Sequence, residues 1–168
     1  MQEYLIRRAT PSDASALAKL GRAVSSEPEG WLITDHDWRN VGDERRYLRA
    51  SRRSSHAAVF VAENEHGIVG RLSVARDSHP ASPHVADLGL MVAVGHRRRG
   101  IGRALLERAV EWAREVGVEK LELHVFPHNE PAIRLYEQFG FEREGLRRAH
   151  YRRGDQLVDA VLMALRVR

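Results

Sequence analysis

The chain has 168 residues, 43% hydrophobic and 30% charged, with a formal net charge of +4 at pH 7. That length fits one domain covering residues 1–168, and the balance is that of a globular chain rather than a disordered one. No apolar run approaches the roughly 18 residues of a membrane span. There is no cysteine, which excludes disulfides, thiolate metal sites and a cysteine nucleophile.

The opening Met1 to Arg7 reads as a strand, not as an export leader, so the expectation is a soluble cytoplasmic protein without membrane contact. The positive charge is almost wholly arginine; Lys19 and Lys120 are the only lysines. A guanidinium fork suits phosphate, so a nucleotide cofactor and a nucleic acid both stand as candidate partners.

Tyr4 to Arg8 is predicted as a first strand. A helix follows, with Thr10 as N-cap, Pro11 at its first position and Asp13 near the positive end of the dipole. Leu17, Leu20 and Val24 give it an apolar stripe. Ser25 to Asp35 reads as a loop and Asp37 to Ser51 as a second helix. Ala57 to Glu63 and Ile68 to Ala75 form a predicted hairpin around Asn64-Glu65-His66-Gly67.

A loop over Asp77 to Pro83 leads to a strand from His84 to about Val94. Arg103 to Val116 is a strong amphipathic helix, with Leu105, Ala109, Trp112 and Val116 on one face and Gly117 at its C-terminal cap. Leu121 to Phe126 reads as a strand and Pro131 to Phe139 as a short helix ended by Gly140. Two strands, about Phe141 to Arg148 and Leu157 to Leu165, close the chain around Arg153-Gly154-Asp155. The order β-α-α-β-β-β-α-β-α-β-β implies an α/β mixed sheet with helices packed on it.

Chemistry concentrates where strand, turn and helix meet, over Leu88 to Arg103. A Gly-x-Gly turn opening a helix lets backbone N–H groups approach a phosphate, and the helix dipole favours the anion. A dinucleotide fingerprint wants a third glycine where Leu105 stands. A P-loop wants Gly-Lys-Ser/Thr, and neither lysine is near. Both fail.

What remains is Arg97-x-x-Gly100-x-Gly102, followed downstream by Leu121-Glu122-Leu123-His124-Val125 and by Asn129-Glu130-Pro131-Ala132-Ile133-Arg134-Leu135-Tyr136-Glu137-Gln138-Phe139-Gly140-Phe141. Together with the Ile6-Arg7-Arg8-Ala9-Thr10-Pro11-Ser12-Asp13 opening, these blocks closely resemble the GNAT family of N-acetyltransferases over most of the chain.

The resemblance implies an acyltransferase with acetyl-CoA as co-substrate and no metal. Its fold would be a mostly antiparallel sheet of six or seven strands, about four flanking helices and a splayed central strand pair. It implies that the backbones of Val92 and Val94 pair with the pantetheine arm and that the Val92 N–H polarises the thioester carbonyl. The backbone from Arg97 through Arg98, Arg99, Gly100 and Gly102 to Arg103 would wrap the pyrophosphate. Arg98 and Arg99 read equally well as solvated loop charges.

Asn129 matches the position that hydrogen-bonds the pantetheine, and it also reads as a helix N-cap. Tyr136 matches the general acid that protonates the departing thiolate. Asp87, on the strand before the loop, is the leading general base for the acceptor amine. His84 and His124 are its rivals.

With no cysteine, direct transfer in a ternary complex is expected. The blocks around His84 to Gly89 and the C-terminal strands are similar to a subgroup that includes L-amino-acid and ribosomal-protein N-terminal acetyltransferases. That implies an α-amine acceptor, free or peptidic; a polyamine or an aminoglycoside is the alternative. Glu27, Glu29 and Trp31 read either as an ammonium site or as a solvated connection. Arg147, Arg148, Arg152 and Arg153 read either as a carboxylate site or as a hairpin tip. A nucleic-acid or ribosome-binding module on the same fold is a further alternative, but no aromatic-interleaved basic stripe supports it. Dimers occur in the family, though nothing in the chain marks an interface.

Overall fold

The computed structural model describes residues 4–33 and 39–167. Its strands are β1 (Leu5–Arg8), β2 (Ala57–Asn64), β3 (Gly67–Arg76), β4 (Val85–Val92), β5 (Lys120–Val125), β6 (Glu142–Arg153) and β7 (Gln156–Arg166). Its helices are α1 (Ala14–Ser25), α2 (Val41–Arg52), α3 (Ile101–Val116) and α4 (Glu130–Phe139). The strands form one sheet in the order β1-β2-β3-β4-β5-β7-β6. Every neighbouring pair is antiparallel except β4 with β5. The predicted order of elements and the mixed sheet are both present.

Strand alternation sorts side chains onto two faces. Ala58, Phe60 and Ala62 of β2, Leu88 of β4 and Leu121, Leu123 and Val125 of β5 pack with Leu105, Ala109 and Trp112 of α3 and with Ile133 and Tyr136 of α4. The intervening residues Val59, Val61 and Met91 pack on the opposite face with Leu17, Leu20 and Val24 of α1 and Leu48 of α2. The periodic stripe expected for α1 is buried in full, and so are Leu105, Ala109 and Trp112 of α3.

Several boundaries move. Residues 11–13 form a 3₁₀ turn ahead of α1, with the Thr10 N–H donating to the Asp13 carboxylate at 2.7 Å. The second helix starts at Val41, capped by Asn40, whose side chain accepts from the Asp43 N–H; its expected start at Asp37 lies outside the described residues. β4 ends at Val92, two residues before the expected end, because Gly95 turns the chain at φ 87°. His84 precedes β4 rather than lying on it.

Candidate active site

The parallel contact between β4 and β5 is short. Val85 pairs with Lys120, Ala86 with Leu121 and Asp87 with Glu122, and there the ladder stops. β4 nevertheless stays in register with β3 up to Val92, opposite Gly70. β5 runs on against β7 to Val125, opposite Val161. The two central strands therefore diverge beyond Asp87, and a wedge opens between them. This is the splay that the resemblance implied.

Val92 stands on the edge of that wedge. The Ala93 N–H donates to the Val69 carbonyl of β3 at 2.8 Å. Alternation along a strand turns the Val92 N–H and carbonyl the other way, into the gap. The carbonyl accepts from Arg97 Nε at 2.8 Å. Val94 lies past the strand and is 72% exposed.

Beyond Val92 the chain makes a tight loop with three residues of positive φ, Gly95, Arg98 and Gly100. Gly100 at φ 85° starts α3 with no side-chain cap, so the first N–H groups of a sixteen-residue helix are offered to whatever lies in front of them. That geometry suits an anion held by backbone amides. Gly102 has a separate reason to lack a side chain: a Cβ there would stand 2.8 Å from Leu135 of α4.

The arginines of this loop are not equivalent. Arg97 forks onto the Glu27 carboxylate at 2.7 and 2.6 Å, so its side chain serves the protein and only its backbone is left for a phosphate. Arg103 lies on the Glu107 carboxylate and over the Phe139 ring.

One cavity of about 720 Å³ joins wedge and loop. Among the residues expected at the site, Asp87, Val92, Arg97, Arg98, Gly100, Gly102, Arg103, His124, Asn129 and Tyr136 all line it. Val94 and Arg99 do not. His84 does not either; it lines a separate hollow at the far end of the sheet, beside Glu119 and Arg166.

Asn129 caps α4, its side-chain oxygen accepting from the Ala132 N–H at 3.3 Å. The Tyr136 ring packs edge-on against Phe141 at 5.6 Å between centroids. Burial pushes its phenol well above the ordinary value, so the hydroxyl keeps its proton throughout the neutral range.

Asp87 opens onto the cleft but is crowded by protein on its other sides. That loss of hydration, with the Glu122 carboxylate beside it, lifts its pKa to about 6. The Leu88 N–H and the Arg147 charge oppose the shift. His124, on the same face of the sheet, is pulled below the usual imidazole range, first by burial and then by Arg147 and His150. Its Nδ1 lies 2.6 Å from the Tyr151 hydroxyl.

Three features of the cavity were not visible in the sequence. Tyr151 reaches it because β6 breaks register between Arg147 and Tyr151, where Ala149 adopts φ 50° and its N–H donates to Asp159 at 2.7 Å. Arg71 of β3 lies beneath it, pairing at 3.2 Å with Glu44, which is fully buried and also accepts from Arg39. Glu27 is engaged by Arg97, and Trp31, which lines the cavity, stacks on His128 at 5.6 Å.

A splayed parallel pair, an uncapped helix start and a buried tyrosine come together around one cleft of this α/β protein. Residues 24–141 match the family model described as the acetyltransferase (GNAT) family. The L-amino acid N-acetyltransferase AaaT of Escherichia coli (strain K12) is 31% identical, over 98% of each chain. The ribosomal protein bS18-alanine N-acetyltransferase of the same organism is 43% identical over 70 residues, 42% of this chain and 47% of that one. A GNAT-family acetyltransferase from Streptococcus pneumoniae superposes with a TM-score of 0.89 at 28% identity, covering 99% of this chain and 100% of the other. The chain belongs to the GNAT family of N-acetyltransferases.

Proposed function

We propose that this chain, as a single catalytic domain, moves an acetyl group from acetyl-CoA directly to the α-amine of an amino acid or peptide. The observation that carries the reading is the wedge beyond the Asp87–Glu122 rung, with the Val92 N–H on its edge and Tyr136 on its wall. Acetyl-CoA supplies the acetyl group on a thioester. The residues present fit it: the gap offers a strand edge to an extended amide-bearing arm, and the uncapped start of α3 offers N–H groups to phosphate.

In this reading the Val92 backbone holds the pantetheine, while Val94, exposed past the strand end, stands off the cavity. The backbone over Arg97, Arg98, Gly100, Gly102 and Arg103 holds the pyrophosphate, with Arg99 off the cavity, and Asn129 hydrogen-bonds the arm. The Val92 N–H donates to the thioester oxygen as negative charge gathers there.

Asp87, ionised above about pH 6, takes the proton from the acceptor ammonium, directly or through one water. The freed amine attacks the carbonyl carbon, the C–S bond breaks, and the Tyr136 O–H passes its proton to the departing sulfur. The second proton shed by the nitrogen returns the phenol to its neutral form. Proton transfers of this kind contribute on the order of 10²–10⁴ in rate each. The AaaT relative supports an amino-acid acceptor and the bS18-alanine relative a peptidic one.

The test is release of CoA thiol from acetyl-CoA with pooled acceptors: free amino acids, short peptides, polyamines and aminoglycosides. Release with an amino-acid or peptide pool is the expected result. Release with only the polyamine or aminoglycoside pool contradicts the α-amine reading.

A further inference from the structure

The loop that leaves α1 does not hang free. Residues 26–33 cross the C-terminal ends of β4 and β5, and side chains from three other parts of the fold pin them. Arg97, from the loop after β4, holds Glu27 through both carboxylate oxygens. His128, from the loop after β5, donates from Nε2 to the Glu29 carbonyl at 2.9 Å and lies between the rings of Trp31 and Phe126. Arg153, at the end of β6, donates to the carbonyls of Leu32 at 2.8 Å and Gly30 at 3.4 Å while its guanidinium stands over Phe126.

The approach at Gly30 is so close that a Cβ there would lie 2.9 Å from the Arg153 fork, and φ is +63°. The strap thus joins the α1 bank of the cleft to the β6–β7 hairpin on the other bank, over the face that carries Asp87, His124 and Tyr151. Trp31, Leu32 and Ile33 supply its lining.

Two consequences bear on what the cleft admits. A polypeptide acceptor bound in extended form takes main-chain hydrogen bonds from its host. On the strap the carbonyls of Glu27, Glu29, Gly30 and Leu32 are already taken by Gly30 N–H, His128 and Arg153, which removes them as partners for such a chain. Space points the same way. The cavity of about 720 Å³ includes the cofactor groove as well as the acceptor half. Small-molecule sites span about 300–1,000 Å³ for one ligand, which leaves the acceptor a compact share.

We infer that the strap and hairpin, clasped through Arg153, close the acceptor half against a continuing chain and make it a pocket for one free molecule of amino-acid size. This rests on the α-amine reading above, and it chooses the free acceptor over the peptidic one. Arg153 and Trp31 are its specificity-determining residues.

The test compares kcat/KM for each free amino acid with that for the tripeptide carrying the same first residue, in the wild type, Arg153→Ala and Trp31→Ala. The expected wild-type preference is at least tenfold for the free amino acid. Arg153→Ala should shrink that ratio at least fivefold, through a lower KM for the tripeptide. Trp31→Ala should act in the same direction, and it decides if the arginine variant does not fold.

A wild type that takes tripeptide as well as amino acid overturns the inference and leaves the α-amine reading standing. So does an unchanged ratio in folded variants. Transfer to neither acceptor overturns the α-amine reading itself, and this inference with it.

Discussion

Asp87 and Glu122 face each other as the last rung of the short parallel ladder between β4 and β5. One rung thus marks where the sheet opens and also sets the Glu122 carboxylate beside Asp87, which lines the cleft. Loss of hydration raises the proton affinity of Asp87, and the like charge of Glu122 on the same rung adds to it.

That relationship sets a pH dependence. With acceptor and acetyl-CoA saturating, turnover should rise along an acid limb near pH 6 as Asp87 loses its proton. Asp87→Asn should abolish that limb and lower kcat on the order of 10²-fold or more. An unchanged limb in the variant would remove Asp87 as the base and move attention to His124.

Stability follows the opposite sign. A carboxyl whose pKa is raised in the folded state binds its proton more tightly there than in the unfolded chain. Asp87 is therefore no burden below about pH 4 and becomes one as pH climbs through about 6. Asp87→Asn should have a higher Tm than the wild type at pH 8, and the difference should vanish near pH 4. Thermal melts across that range check it.

Tyr136→Phe removes a hydroxyl while keeping the edge-on contact with Phe141. It should lower kcat about 10²–10⁴-fold with acetyl-CoA affinity within a few-fold of wild type. Calorimetric titration beside steady-state kinetics separates the two effects. Unchanged turnover would remove Tyr136 as the acid.

Glu44 is fully buried and neutralises Arg71, itself 4% exposed. Burial works against the Arg71 charge, and Glu44 is the leading group that opposes this. Glu44→Gln leaves a buried cation short of its counter-charge, a change that costs about 3–5 kcal/mol. For a domain of this size that corresponds to a fall in Tm of roughly 10 °C, read by calorimetry.

Much of this was legible in the sequence, for reasons visible in particular residues. The stripe of Leu105, Ala109 and Trp112 and the cap at Gly117, φ 79°, are local signals, and α3 follows them. The paired motifs around Gly100 and Tyr136 placed ten of the expected residues on one cavity. Besides the shifted boundaries, the contacts that were missed are long-range. Glu27 meets Arg97 across 70 residues and Glu44 meets Arg71 across 27, and no periodicity encodes such pairs. Tyr151 depends on a register break at Ala149, where an alanine takes a backbone conformation that its residue type does not announce.

The most direct measurement follows the acetyl group itself. Enzyme is mixed with a slight deficit of acetyl-labelled acetyl-CoA and with the pooled amino acids, quenched on the millisecond scale, and divided into protein and small-molecule fractions. Direct transfer predicts that label appears on the acceptor α-nitrogen as CoA is released and never accumulates on the protein. Label passing through the protein before reaching the acceptor, or landing on a nitrogen other than the α-amine, would contradict the account.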